Sequence, residues 1–331
     1  MNVSVVVPAY NRNDVLIMCV NGLLTQKVSD AIFEIIVVDD CSKELCSNFL
    51  KNQLAANENL KVIRHSSNKG LAAARNTGAR GARYQILIFL DSDIVPGPNF
   101  IQSHVDLHSA HPDEAIAVVS NLSYPNEVVQ KSNFARYMNS RYLGNRAILL
   151  KSLVSYENLP AKNFGGGICS LRHSTFFEVG CFDETFVRYG GEDEEMGCRL
   201  RAANIAIKFC PSARAIHHDY VNLKRSRDKT IEWVLNALPL LESKHPQYLL
   251  STSVKYVKRP SSSVVDARYL IYYASKCVLN SLTTRALEKI LQLLDGVKIL
   301  YFPPLYRVLF LAWFVNGQKL HFKERYSAVW Q

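Results

Sequence analysis

The stretch QILIFLDSD, residues 85–93, decides the fold. It is a short apolar run that leads directly into Asp91, Ser92 and Asp93. An uninterrupted apolar run of this length is typical of a strand covered on both faces, as in parallel sheets. Open α/β sheets bind ligands at the carboxyl ends of their strands. Burying two carboxylates at that edge costs free energy unless they contact a cation or a hydrogen-bonding ligand. The stretch therefore also predicts a binding site.

The residues around this stretch alternate between strand and helix patterns. Further strands are predicted at 3–7, 34–38, 60–63 and 115–120, and helices at 14–24, 43–57 and 71–83. This alternation predicts the α/β class, with a mostly parallel sheet flanked by helices. Residues 124–160 lack a clear period and are interpreted as excursions around the site. A short strand is predicted at 213–216, and helices are predicted after it at 229–241, 267–282, 286–300 and 306–315.

A second acidic cluster, EDEE at 192–195, comes directly after two glycines. One carboxylate here can act as a base that is not engaged by a cation at the first cluster. The structural alternative is that acidic residues favour a helix N-terminus, which suits Glu194 and Glu195 at the start of a helix predicted at 196–203. Together the two clusters favour metal-assisted group transfer from a phosphorylated donor.

The ends of the first two strands carry polar residues that should share one sheet edge. Strand one ends in PAYNR (8–12) and strand two in DDCS (39–42). An aromatic ring, a carboxylate and backbone donors suit a nucleobase, although DDCS also fits a turn and helix cap. The chain has no Gly-x-Gly-x-x-Gly after strand one and no Walker A loop, which argues against those nucleotide sites.

Composition limits the class of protein and its partners. With 331 residues, 48% hydrophobic and 21% charged, the chain is expected to fold. From residue 214 onward, 18 Lys and Arg face 8 Asp and Glu, so the whole net charge of +10 lies in this part. It predicts either an acidic partner or a solvated basic face. Aromatic residues do not interleave with these charges in a nucleic-acid-binding module, so no nucleic-acid partner is expected.

Cysteine usage and the chain ends suggest a compartment. None of the eight cysteines has the paired spacing of a zinc site, and a strand pattern begins at residue 3. We therefore expect reduced thiols in a cytoplasmic protein. The apolar run 306–315 is too short to span a bilayer. Its basic flanks favour peripheral contact with the inner face of a membrane, against the alternatives of a helix packed on the catalytic domain or a dimer contact. The sequence does not determine the oligomeric state.

Five motifs in this chain also resemble a known family. SVVVPAYNR, VVDDCS, NKGLAAARNTG and FLDSD, in that order, resemble the nucleotide-binding half of glycosyltransferase family 2. FGGGICSLRHSTFFEVGCFDETFVRYGGEDEEMGCRL, residues 164–200, resembles its acceptor half and the galactosyltransferase-type C-terminal module of family 7. The resemblance implies a GT-A domain at 1–220, with a nucleotide-binding half at 1–120 and an acceptor half at 121–220. Residues 221–331 would be a basic, helical C-terminal extension.

The same resemblance implies a nucleotide-sugar donor, commonly a UDP-sugar, and Mn²⁺ or Mg²⁺. Asp40 matches the aspartate that contacts the base, and Asp91, with Ser92 beside it, matches the ribose-side aspartate. The other residues that match the nucleotide-lining positions are Pro8, Ala9, Tyr10, Arg12 and Lys69.

The resemblance further assigns the metal and the acceptor side. Asp93 matches a metal ligand, and His217 matches a third ligand in related enzymes. His218 is the alternate, because adjacent strand residues point in opposite directions. Asp193 matches the base that deprotonates an acceptor hydroxyl on a glycan or lipid-linked glycan, with inversion at the anomeric carbon. The residues expected around the acceptor are Glu192, Gly166 and Gly191.

Two alternatives remain from the sequence. A sugar-phosphate nucleotidyltransferase also uses an α/β sheet and a metal, but PAYN at 8–11 lacks the glycine-rich loop of that class. A non-catalytic scaffold with a lipid-binding basic tail would not need Asp93 or Asp193, and both are present.

Overall fold

The computed structural model describes residues 1–29, 31–145, 157–250 and 277–327. Two regions with sequence predictions lie partly outside these ranges: residues 146–156 of the 124–160 stretch and residues 267–276 of the helix expected at 267–282. The chain divides into two compact units. The first consists of Met1–Pro125, Asn139–Val187 and Glu192–Asp219, and the second of Asn126–Met138, Arg188–Gly191 and Tyr220–Gln331.

The first unit is built on an eight-stranded sheet. Its strands are β1 (Val3–Ala9), β2 (Phe33–Asp39), β3 (Leu60–Arg64), β4 (Ile86–Leu90), β5 (Ile94–Pro96), β6 (Ile116–Ser123), β7 (Ile168–Arg172) and β8 (Ala206–His217). They lie in the order β3-β2-β1-β4-β7-β6-β8-β5. Four of the seven pairings are parallel, and β7 inserts antiparallel to both of its neighbours. The α/β class predicted from the alternating pattern is confirmed.

Apolar cores cover both faces of this sheet. Val5 and Val7 of β1 face one core together with the helices Asn13–Leu24 and Phe100–Ser109. Val6 and Phe89 face the other core, which contains residues from three further helices. Those helices are Leu71–Arg80, His173–Glu178 and Glu192–Ala202. Side chains alternate along each strand, so an uninterrupted apolar run fills both cores.

Several element boundaries differ from the sequence expectations. The helix expected at 43–57 is two short helices, Cys46–Phe49 and Lys51–Ala56. The strand expected at 213–216 is the end of β8, which is 12 residues long and pairs with β6 across an irregularity in register. The acidic cluster opens its helix at Glu192, not at residue 196, so all four acidic residues lie in the first turn.

The second unit is helical in its described part. Its helices are Asn126–Lys131, most of Asn133–Arg141, Leu223–Glu232, a π-helical turn at Trp233–Ala237, Leu238–Lys244, Pro246–Leu250, Ser281–Leu293 and Pro303–Ser327. Three helices begin before their expected positions, at Leu223, Ser281 and Pro303. The first two are capped by Asn222 and Asn280, which accept hydrogen bonds from backbone amides. Phe134, Tyr306 and Trp313 are central to one of its apolar clusters. None of the described helices combines the length and apolarity needed to cross a bilayer.

Candidate active site

The first polar group lies where β1 and β2 end side by side. The Asp40 amide donates to the Ala9 carbonyl at 2.9 Å, so the two strand ends are tied together. Asp40 is buried, and its carboxylate accepts hydrogen bonds from the amides of Lys69 and Gly70, each at 2.8 Å. Its Oδ1 also lies 2.7 Å from Nδ1 of His65. Asp40 therefore holds the loop 65–70 against this edge of the sheet.

The neighbouring Asp39 shows the turn-forming behaviour considered for the DDCS segment. Its buried carboxylate accepts from the amides of Ser42 and Cys46 and pairs with Arg64. Burial alone would raise the pKa of Asp39, but these hydrogen bonds hold it below its ordinary value. The ring of Tyr10, in contrast, is 49% exposed at the end of β1. Pro8 and Ala9 are buried in the strand itself.

The central feature of the site is an arginine that was not among the sequence candidates. Arg75, on the helix Leu71–Arg80, has only 2% of its side chain exposed. Its Nη2 lies 2.8 Å from Oδ1 of Asp91, and its Nη1 lies 2.9 Å from Oε1 of Glu192. The guanidinium also lies over the ring of Phe182, 5.1 Å from its centroid. One buried cation thus joins the two acidic clusters that the sequence places a hundred residues apart.

The glycine-rich loop at 165–167 packs directly beneath these charges. The Asp91 amide donates to the Gly167 carbonyl at 2.9 Å, and a Cβ at Gly167 would overlap the Asp91 carboxylate. A Cβ at Gly166 would lie 3.0 Å from Nη1 of Arg75 and 3.2 Å from Cβ of Asp193. The missing side chains make room for the protein's own charged groups. The predicted role of Gly166 in admitting an acceptor stays a prediction.

Asp193 lies in the first turn of the helix Glu192–Ala202. Its Oδ1 accepts a hydrogen bond from the Glu194 amide at 2.9 Å. Burial raises the pKa of Asp193 well above its ordinary value, and the neighbouring carboxylates of Glu192 and Glu194 add to the shift, while Arg75 opposes it. A carboxyl with a raised pKa is a stronger proton acceptor once it is ionised.

Gly191, which precedes this helix, belongs to the second unit. Its φ of +95° and the φ of +79° at Gly190 are left-handed, a conformation that favours glycine. A Cβ at Gly190 would lie 2.9 Å from Cδ1 of Trp233, within the same unit. The predicted contact of Gly191 with an acceptor stays a prediction.

A second acidic group forms where β5 pairs with β8. The antiparallel register places Ile94 opposite His217, and the His218 amide donates to the Asp93 carbonyl at 2.7 Å. Ligand atoms of Asp93, His217 and Asp219 lie within 4.8 Å of one another. His217 Nε2 faces Asp93 Oδ1 at 3.4 Å. Asp219 was not among the residues predicted from the sequence. Its position directly after His217 and His218 could have indicated it as a third ligand.

Two tyrosines contact the His217 ring, one through a hydrogen bond and one by stacking. The Tyr142 hydroxyl lies 2.6 Å from Nδ1 of His217. The ring of Tyr124 stacks on the imidazole, with centroids 5.4 Å apart and an interplanar angle of 16°. Because Nδ1 is engaged by Tyr142, Nε2 is the nitrogen turned toward Asp93. A hydrogen bond at one ring nitrogen fixes the orientation of the imidazole, which a histidine that coordinates a cation requires.

Arg12 reaches the same acidic group from the end of β1. Its Nη1 lies 3.7 Å from Asp93 and 3.5 Å from Asp219, and its Nη2 donates to the His218 carbonyl at 3.3 Å. A guanidinium therefore balances both carboxylates. Two carboxylate oxygens and one imidazole nitrogen are a donor set that fits a divalent cation. Among the sequence-predicted ligands, the structure brings Asp93 and His217 together.

Comparisons with known proteins assign the chain to a family. The protein-family model described as Glycosyl transferase family 2 matches residues 4–170 of the sequence. The chain belongs to glycosyltransferase family 2. A second model, described as the N-terminal domain of galactosyltransferase, matches residues 150–224, the region where a galactosyltransferase-like module was expected. The family match argues against the nucleotidyltransferase alternative.

Curated relatives within the family are similar over about three quarters of the chain. Chondroitin synthase of Escherichia coli is 27% identical over 272 residues, covering 74% of this chain and 38% of that protein. Validoxylamine A glucosyltransferase of Streptomyces hygroscopicus subsp. limoneus is 26% identical and covers 74% of this chain. The chain spans 38% and 57% of the length of these two relatives.

Solved structures extend the similarity to the fold. A mannosyltransferase from Pyrobaculum calidifontis, in complex with GDP-Man and Mn²⁺, has a TM-score of 0.61 at 16% identity. The match covers 97% of this chain and 86% of that one. GalNAc-T7 with UDP, GalNAc and Mn²⁺ has a TM-score of 0.55 at 19% identity, covering 85% of this chain and 52% of that one. The expected GT-A fold is confirmed.

Proposed function

We propose that this protein is an inverting glycosyltransferase that moves a sugar from a nucleotide-sugar, in the first instance a UDP-sugar, to a hydroxyl of a glycan or lipid-linked glycan. The observation that carries the proposal is the buried Arg75, which holds Asp91 and Glu192 at 2.8 and 2.9 Å. This contact brings the proposed donor-side aspartate next to the carboxylate cluster that contains Asp193. The family membership and the fold support the same reading.

On the donor side, the end of β1 and the end of β2 supply the binding groups. Tyr10 is exposed there and offers a ring face, and buried Asp40 orders the loop that contains Lys69. Together with Pro8 and Ala9, these residues would surround the nucleotide. Asp91 and Ser92 would contact the ribose, since they come directly after β4, which lies beside β1 in the sheet. Arginine suits phosphate oxygens because its fork of donors matches their geometry, which favours Arg12 for the diphosphate.

A divalent cation would be held by Asp93, His217 and Asp219, whose ligand atoms already converge. Bound there, the cation would neutralise the negative charge that develops on the diphosphate leaving group. The imidazole nitrogen favours Mn²⁺ over Mg²⁺, because Mg²⁺ prefers oxygen ligands. Tyr142 keeps the His217 ring in one orientation, so this ligand needs little reorganisation on binding.

Asp193 is the proposed base. It would take the proton of the acceptor hydroxyl as the oxygen attacks the anomeric carbon on the face opposite the diphosphate. Its raised pKa suits this task, because burial and the adjacent carboxylates make the ionised form a stronger acceptor of protons. Glu192 is occupied by Arg75, so it would orient Asp193 and the acceptor indirectly.

The test uses the full chain with a panel of UDP-sugars and GDP-sugars, with and without Mn²⁺. Sugar transfer or metal-dependent donor hydrolysis is the expected result. Asp193→Asn should lower turnover by about 10² to 10⁴-fold while UDP binding with Mn²⁺ is retained. Asp113→Asn is the matched control, because Asp113 is exposed on a turn away from these clusters. No turnover by the wild type with any donor of the panel would favour the scaffold alternative, whereas equal turnover in wild type and Asp193→Asn would reject Asp193 as the base.

The pH dependence gives an independent check. Asp193 must be ionised to accept a proton, so turnover should rise with pH through its raised pKa. The lower limb of the profile should therefore lie above the ordinary range of aspartate, and it should be absent from the residual activity of Asp193→Asn. A limb in the ordinary aspartate range would contradict the proposed base.

The remaining parts of the proposal concern organisation and location. We propose a catalytic domain at 1–220, followed by a basic helical extension at 221–331, in a cytoplasmic protein. The extension would contact the inner face of a membrane peripherally. Limited proteolysis with mass spectrometry tests the boundary, because cleavage should cluster near residue 220 if the two parts are separate domains.

A further inference from the structure

The helical second unit presents large aliphatic side chains to solvent at one corner. Leu282, Leu293 and Ile299 are 76%, 81% and 91% exposed. The apolar corner consists of these three residues and their exposed neighbours Ile290, Val297, Leu300 and Phe302. It runs along the helix Ser281–Leu293 and through the connection to the helix Pro303–Ser327. Exposed apolar residues scattered singly are ordinary, but seven within about twenty positions are a concentration that favours an interaction surface.

The corner is not the inner face of its own helix. Thr284 and Leu291 are buried on the opposite side of the helix, where Leu291 joins the cluster around Tyr306 and Trp313. Asn316 Nδ2 donates to the Thr284 hydroxyl at 2.9 Å, which anchors the helix through that side. The helix therefore has an apolar inner side that is already packed and a second apolar side that faces outward.

Charge distinguishes the partner that this corner fits. The basic residues of the segment 278–308 are exposed, namely Arg285, Lys289, Lys298 and Arg307. Its two acidic residues are engaged on the inner side. Glu288 pairs with Arg227 at 3.0 Å, and Asp295 accepts from the Phe134 amide at 2.7 Å. Within the segment 278–308, the exposed charged side chains that accompany the aliphatic ones are thus all positive.

We infer that the apolar corner binds an anionic lipid surface, with its aliphatic side chains inserted at the headgroup boundary and the four basic residues on the phosphates. Aliphatic residues beside lysine and arginine are the combination that such a surface accepts. A second copy of the chain is disfavoured as the occupant, because a two-fold interface would place the same basic residues against each other. The inference concerns location and does not depend on the proposed transferase activity.

The test is flotation of the full chain with vesicles of phosphatidylcholine, with and without phosphatidylglycerol, at low and high salt. Binding is expected only to the anionic vesicles, and it should weaken as salt rises. Lys289→Gln with Lys298→Gln should weaken binding roughly 25-fold, from about fivefold for each basic residue near an anionic surface. The matched control is Lys27→Gln with Lys51→Gln, since both of these lysines are exposed in the first unit.

A second pair of variants tests insertion. Ile299→Ser should weaken vesicle binding, whereas Ile32→Ser, which changes an isoleucine 58% exposed in the first unit, should leave it unchanged. Both side chains are exposed, so neither change should alter folding. Ile299→Trp supplies a direct readout, because its emission should shift to the blue with anionic vesicles only.

Three results would overturn the inference. The first is no binding to anionic vesicles by the wild-type chain. The second is binding that Ile299→Ser and the double lysine variant leave unchanged. The third is a concentration-dependent dimer, seen by light scattering, that Ile299→Ser dissociates, because this would assign the corner to self-association.

Discussion

Removal of Arg75 should both destabilise the protein and disorganise its site. The side chain is 2% exposed, and it pairs at 2.8 Å with Asp91 and at 2.9 Å with Glu192. The two partners differ in their access to water. The Asp91 side chain is 33% exposed and can be resolvated, whereas Glu192 is 6% exposed and would be left as an unpaired buried charge.

This difference sets the magnitude. Breaking a buried ion pair by removing one partner costs about 3–5 kcal/mol. Because only Glu192 is left fully enclosed, we expect Arg75→Met to lower the free energy of unfolding by about 3 kcal/mol, at the low end of that range. With a urea m-value of about 3 kcal/mol per molar, the midpoint of unfolding should fall by ~1 M.

A double-mutant cycle separates the ion pair from packing. Glu192→Gln in the Arg75→Met background removes the orphaned charge, so the double variant should recover much of the lost stability. The expected coupling energy is about 1–3 kcal/mol. Urea unfolding followed by circular dichroism measures all four proteins, with Asp113→Asn as the control for loss of an exposed charge. Additive effects, or a loss below about 1 kcal/mol for Arg75→Met, would refute the reasoning.

Three further perturbations address the metal group, a buried histidine pair and the glycine loop. Tyr142→Phe should weaken Mn²⁺ binding about 10- to 100-fold, since the hydroxyl orients His217; unchanged affinity by electron paramagnetic resonance titration would contradict this. Burial lowers the pKa of His104 and of His108 from 6.5 to about 3, so the folded state binds fewer protons and stability should fall as pH drops below 6.5. By pH 4, each histidine should lower the free energy of unfolding by about 3 kcal/mol relative to its value above pH 6.5. His104→Gln with His108→Gln should therefore flatten the dependence of the urea midpoint on pH. Gly167→Ala should abolish donor binding, because its Cβ would overlap the carboxylate of Asp91. Calorimetric titration with UDP and Mn²⁺ measures this binding, and wild-type affinity in the variant would show that the loop shifts instead.

The sequence alone predicted the α/β class and several of the polar residues that the structure brings together, among them Asp93 and His217. The apolar run at 86–90 is a buried strand because an uninterrupted run can only be covered on both faces. The strand at 3–7 is buried in the same way, with Ser4 as its one polar residue. Asp91, Ser92 and Asp93 lie at the end of β4 because they come directly after the apolar run at 86–90. These features are local, since they depend on side-chain period and on the residue types directly after a strand.

The contacts that assemble the site were beyond such patterns. Arg75 is one more polar residue in an alanine-rich helix, and its pairing partners lie 16 and 117 positions away. Asp219 lies two residues after His217, but only the pairing of β5 with β8 brings these two residues to Asp93.

Tertiary structure also decided which faces remained available. The antiparallel insertion of β7 beside β4 sets Gly167 against Asp91, although no turn or repeat in the chain predicts that neighbour. The helix Ser281–Leu293 shows apolar residues on two sides, and packing alone determined which side was buried. Local sequence determines what each element is, because propensity and side-chain period act over a few residues. Strand order and packing determine which elements meet, because those choices depend on burial summed over the whole chain.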